Sequence, residues 1–97
     1  MANSNRTCLV VGAGVGLGRA IARAFAAGGL EVCVTRRPRH LEELEALAAS
    51  IRDAGGKAHA FGVDARSEEE MVALFDRIER DIGPLEVVVF ARTSRPN

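Results

Sequence analysis

Four glycines stand at alternate positions, Gly12, Gly14, Gly16 and Gly18, separated by Ala13, Val15 and Leu17. A stretch of this kind turns sharply and lets a phosphate come against the backbone, because no side chains stand in the way. If a helix begins at the same point, its free N–H groups and positive dipole end attract the anion. The chemistry on offer is recognition of a pyrophosphate; with no ligand, the same residues make only a tight turn. Spacing narrows the choice. The dinucleotide fingerprint G-x-G-x-x-G fails, since counting from Gly12 and Gly14 the third position is Leu17, and from Gly14 and Gly16 it is Arg19. A Walker loop fails as well, because no Gly-Lys-Ser/Thr follows. What remains is Gly12-x-x-x-Gly16-x-Gly18.

Arg36 follows Gly12 by 24 positions and is itself followed by Arg37. A site for an unphosphorylated adenosine ribose places Asp or Glu about 20 residues beyond the loop, to hold the hydroxyls. No acid is present there. Two guanidinium forks at this place suit a ribose 2′-phosphate instead, with Arg36 the first candidate and Arg37 the second. A solvated basic turn is the alternative, since Arg39 continues the run. Asp64 and Ala65 form a third small group, which alone reads as an ordinary loop. His40 and His59 have no partner pattern and read as surface or strand residues. Cys8 and Cys33 each lie in an apolar run and read as core thiols, with neither disulfide nor metal spacing.

These groups need elements to position them. Cys8 to Val11 is a continuous apolar run, the mark of a parallel strand buried on both faces. Leu17, Ile21, Ala24 and Phe25 then make a helical stripe that stops at Gly28 and Gly29. A second strand is predicted over Glu31–Thr35. A helix spans roughly His40 to Ala54 on Leu41, Leu44, Leu47, Ala48 and Ile51, and a third strand covers Ala58–Val63. Ser67 followed by Glu70 is a capping box, opening a helix carried by Met71, Leu74, Phe75, Ile78 and Ile82. Leu85–Phe90 is a fourth, almost wholly apolar strand. The order βαβαβαβ with short linkers specifies an α/β fold, one half of a Rossmann-like doubly wound parallel sheet with strand order 3-2-1-4. Ligands of such sheets sit in the crevice at the carboxyl ends of strands 1 and 4.

Composition agrees with a soluble globular unit. Of 97 residues, 47% are hydrophobic and 27% charged, with 13 basic against 13 acidic side chains. Zero net charge argues against a dedicated nucleic-acid or membrane-surface binder. Met1–Arg6 is polar, and the apolar stretch Thr7–Leu17 is too short and glycine-broken for an export signal or a membrane span. Reduced core thiols then point to the cytoplasm. Tyr and Trp are absent, so any mechanism that needs a phenol is excluded within these residues.

With loop, Arg pair and Asp64 in hand, the chain resembles the short-chain dehydrogenase/reductase family, whose loop is Thr-Gly-x-x-x-Gly-x-Gly. Val11 stands where that family usually has Thr, which removes one hydroxyl and leaves the glycines in place. The resemblance implies a nicotinamide dinucleotide as partner, NADP ahead of NAD because NADP-preferring members carry Arg at the place of Arg36. It implies that Gly12, Gly14, Val15, Gly16, Leu17 and Gly18 surround the pyrophosphate. It further implies that Asp64 accepts a hydrogen bond from the adenine amino group while the backbone of Ala65 helps hold the ring.

The lead-in Gly83-Pro84-Leu85-Glu86-Val87 matches the family's, but Phe90, Ala91, Arg92 and Thr93 replace its Asn-Asn-Ala-Gly. The family's Ser and Tyr-x-x-x-Lys, and its subunit-pairing helices, would lie further along the chain. The expectation is therefore residues 1–90 as the N-terminal part of a dinucleotide-binding domain, 91–97 as a tail foreign to the family, and no catalytic residue among them. A truncated product, for example by a frame shift near Ala91, would account for this. Two functions stay open: NADP(H) binding in support of hydride transfer between cofactor and a carbonyl or alcohol in a complete parent, or an inert dinucleotide-binding module.

Overall fold

The computed structural model describes residues 6–12 and 16–91. Its elements are β1 (Thr7–Val11), α1 (Leu17–Ala27), β2 (Glu31–Arg36), a 3-10 turn (Pro38–His40), α2 (Leu41–Asp53), β3 (Lys57–Gly62), α3 (Glu68–Asp81) and β4 (Leu85–Phe90). The four strands form one parallel sheet in the order β3-β2-β1-β4. Boundaries move from the sequence reading by one residue at β1, β2 and β3. The shift at β3 is shallow, because the N–H of Val63 still donates to the carbonyl of Arg36 at 2.8 Å. Pro38, at the first position of the 3-10 turn, fits there because that position needs no N–H donor.

The central strands are apolar throughout because helices cover both faces. Every residue of β1 is buried, as are Val32 to Thr35 of β2. On one face Cys8, Val10, Val32 and Val34 meet Ala22 of α1 and Leu44, Leu47, Ala48 and Ile51 of α2. On the other, Leu9, Val11 and Cys33 meet Leu74 and Ile78 of α3. Each fully buried Leu or Ile contributes about 1.5–3 kcal/mol by leaving water, and these two layers hold the carboxyl ends of the strands in register.

One expectation is corrected in α1. Leu17 and Ala24 do not belong to its buried stripe; Leu17 is 66% exposed, and the fully buried residues are Gly18 and Ala22. Small residues on the inward face let the helix approach β1 closely, with Ile21 and Phe25 half-buried at its flanks. Among the described residues no helix is long and apolar enough to cross a membrane.

Candidate functional site

Register brings the strand ends together. Val11 is level with Thr35 on one side and Phe90 on the other, while Thr35 is level with Phe61 and Arg36 with Gly62. Three hydrogen bonds continue the ladder beyond the strands: Gly12 N–H to Thr35 O at 2.8 Å, Val63 N–H to Arg36 O at 2.8 Å and Ala91 N–H to Val11 O at 2.9 Å. A cavity of about 280 Å³ opens over this edge, lined by Val11, Gly12, Thr35, Arg36, Arg37, Val63, Asp64, Ala65, Arg66 and Phe90. Five of the ten residues singled out in the sequence therefore meet in one crevice. Gly14 and Val15 lie outside the described residues, as does Ala13. Gly16, Leu17 and Gly18 open α1 and are not among the residues that line this cavity.

Glycine is required at two of these positions. Gly12 has φ +91°, and a Cβ there would lie 2.7 Å from the carbonyl oxygen of Ala91. Gly16, the N-cap of α1, has φ 65° and ψ −127°, a conformation that L side chains rarely adopt, and it offers no side-chain cap. With no acidic residue in its first turn, the helix keeps its positive end uncompensated by its own sequence, as an anion site requires.

The cationic rim is more engaged than the sequence indicates. Arg36 is held by Glu43 of α2, Nη1 to Oε1 at 3.2 Å. Arg37 makes no ion pair among the described residues. Asp64 is gripped by Arg66: the backbone N–H and Nε donate to Oδ1 at 2.9 and 3.2 Å, and Nη2 donates to Oδ2 at 3.3 Å. The Arg66 side-chain bond, then its backbone bond, and to a smaller degree the charge of Arg37, hold the Asp64 carboxyl below its usual range. Oδ2 receives one donor, so the carboxylate can still accept from a ligand. Thr35, 1% exposed at the crevice wall, keeps a buried hydroxyl with no hydrogen-bond partner. Gly12, the uncapped start of α1 and the Arg pair suit a phosphorylated nucleotide at the strand ends.

The capping box is only half formed. Ser67 Oγ accepts from the N–H of Glu70 at 3.2 Å, but the Glu70 carboxylate reaches past Ser67 to the N–H of Asp64 at 2.9 Å. Ser67 N–H bonds the carbonyl of Asp64 instead. Glu70 thereby fixes the Asp64 loop from α3. His59 stands in β3 as read, yet it has a partner: its Nε2 lies 2.6 Å from Oε2 of Glu31 across the sheet. The sequence reading missed Glu43, Arg66 and Glu70 as site residues. Arg66 had a usable signal in its place two residues after Asp64, whereas Glu43 could be found only from the packing of α2.

A model of the short chain dehydrogenase family matches residues 6–92. A short chain dehydrogenase of Pseudocercospora fijiensis is 35% identical over 86 residues, covering 87% of this chain and 26% of that protein. A short-chain dehydrogenase from Rhodopseudomonas palustris superimposes with a TM-score of 0.86 at 39% identity, over 98% of this chain and 43% of its own. A metagenomic short-chain oxidoreductase solved in complex with NADP does so with a TM-score of 0.81 at 30% identity, over 88% and 38%. The chain thus spans about a quarter of the first of these proteins.

Proposed function

The chain belongs to the short-chain dehydrogenase family, and on that premise we propose that it forms the NADP(H)-binding part of an oxidoreductase. The family binds nicotinamide dinucleotides; the finer reading is the preference for the 2′-phosphorylated form and the residues that recognise it. Gly12, Gly14, Val15, Gly16, Leu17 and Gly18 surround the pyrophosphate, with backbone N–H groups at the start of α1 as donors. Arg36 and Arg37 hold the 2′-phosphate. Asp64 and Ala65 hold the adenine. The cofactor supplies or accepts hydride, and the complete protein brings the carbonyl or alcohol substrate and the proton donor with residues beyond those assigned here.

The observation that carries this reading is the meeting of Gly12, Arg36, Arg37, Asp64 and Ala65 in one crevice at the strand ends. Support also comes from the NADP complex of the metagenomic relative, a protein of the same architecture. The test is a fluorescence titration of the chain with NADPH and NADH, repeated with Arg36→Asp. Losing a charge-assisted pair of about 1.5–3 kcal/mol weakens NADPH by at least about tenfold, while NADH changes little. Equal NADPH binding by both proteins would remove the 2′-phosphate role. No binding of either dinucleotide by the unaltered chain would end the reading.

A further inference from the structure

We propose that Glu43, which lies outside the crevice, sets how strongly the site prefers the phosphorylated dinucleotide, by holding Arg36 in place while offsetting its charge. The inference rests on the NADP(H) reading above and adds to it a residue on a different element.

Arg36 ends β2 with a side chain 24% exposed, and its single side-chain hydrogen bond among the described residues goes to Glu43. A guanidinium carries five N–H donors in a fixed fork. Glu43 takes one of them at Nη1 and leaves the others for a phosphate, so the pair is compatible with a ligand while the carboxylate stays beside it. That carboxylate acts in two opposed ways. It pins a long side chain that would otherwise sample many rotamers, which favours binding. It also places a negative charge next to the position of a 2′-phosphate, which carries close to two negative charges at neutral pH and is repelled. An unphosphorylated ribose meets neither effect strongly.

Which effect dominates follows from exposure. The restraint rests on one hydrogen bond from a carboxylate that is 65% exposed and lapses whenever that bond opens, whereas repulsion of the 2′-phosphate needs no contact, so the offset of charge, although screened by solvent, is the larger influence. Glu42 and Glu43 both lie in the first turn of α2 and complement its dipole, but among the described residues Glu42 makes no ion pair or hydrogen bond with Arg36. It is therefore the control for a general charge effect. His40, whose Nδ1 is 3.8 Å from the same Glu43 oxygen, is left intact in every variant.

Glu43→Gln removes the charge and keeps the shape, an acceptor oxygen for Arg36 and a good helix former. Titrated with NADPH and NADH, it is expected to bind NADPH about two- to fivefold more tightly, the scale of an exposed ion pair, with NADH unchanged. In an Arg36→Gln background the same substitution is expected to do nothing. Weaker or unaltered NADPH binding by Glu43→Gln overturns the proposal, as does an equal gain in Glu42→Gln or a gain that persists without Arg36. If Arg36→Asp loses NADPH while Glu43→Gln matches the unaltered chain, the NADP(H) reading stands and only this inference falls. If the unaltered chain binds no NADPH, both fall together.

Discussion

The carbonyl oxygen of Ala91 faces the α-carbon of Gly12 so closely that a Cβ on Gly12 would lie 2.7 Å from it. The contact joins the exits of β1 and β4, where Ala91 N–H also bonds Val11 O. Gly12 is thus demanded by the sheet before any ligand arrives. Gly16 shares a positive φ but has open space around its absent side chain.

The two glycines are expected to respond differently. Gly16→Ala carries backbone strain of about 1–3 kcal/mol, whereas Gly12→Ala adds to comparable strain a clash with rigid backbone and loses about 3 kcal/mol or more. Urea denaturation of both variants measures the order. Equal losses would mean that β4 moves aside at little cost.

The grip of Arg66 on Asp64 gives a pH-dependent prediction. The carboxyl is held below its ordinary value of 3.8, so the folded state favours the ionised form. That stability is present above the unfolded value and is lost as pH falls through the lower folded one. Arg66→Gln should move the Asp64 carboxyl upward toward its ordinary value, read by carbon-13 NMR titration of the side chain. Its stability deficit should vanish in acid, where both proteins hold Asp64 protonated. An unchanged titration would mean that Arg66 does not hold the carboxylate in solution.

What could be read from sequence was set by chain-local pattern. Apolar runs and capping residues placed all four strands and three helices, and βαβ handedness ordered the sheet, because those signals lie within one element or between neighbours. Gly12, Arg36 and Asp64 were legible for a related reason: each lies at or just beyond the end of a strand, and parallel register brings such ends together. The stripe on α1 was displaced by less than about a third of a turn because periodicity on large apolar residues overlooks small ones that can face the sheet; Gly18 and Ala22 pack inward, Ile21 and Phe25 flank them, and Leu17 turns out. Pairs such as Arg36–Glu43 and His59–Glu31 depend on helix packing and cross-strand register, for which no local spacing exists.

The cysteines are expected to be inert. Leu9 is level with Cys33 and Cys8 with Val32, so the thiols point to opposite faces of the sheet and cannot bridge. Burial pushes Cys8 up to about 11, and burial with the nearby Glu31 charge pushes Cys33 up to about 12. A raised folded value stabilises fully below the unfolded value near 9 and is lost as pH rises past it, by about 1.4 kcal/mol per unit for each thiol. Labelling with a thiol reagent at pH 8 should therefore proceed only as fast as the protein opens. Rapid labelling of the native state would contradict both the burial and the direction of these shifts.

Ser67 and Glu70 separate stability from binding at the third part of the site. Ser67 Oγ caps α3, so Ser67→Ala is expected to lose about 1 kcal/mol in denaturation while leaving the Asp64 loop anchored. Glu70 is exposed, and the Asp64 N–H that it bonds can turn to water, so Glu70→Ala should leave stability within about 0.5 kcal/mol. Its effect falls on position. Released from α3, the backbone at Asp64 and Ala65 no longer presents a fixed surface to the adenine, a moiety common to both dinucleotides. NADPH and NADH should then weaken together, about two- to fivefold for the loss of one exposed contact. Arg36→Asp, by contrast, should weaken only NADPH. A Glu70→Ala variant that binds both as tightly as the unaltered chain would show that the Asp64 loop is held by Arg66 and by the Ser67 N–H without help from Glu70, and a loss confined to NADPH would place this loop at the ribose and not at the adenine.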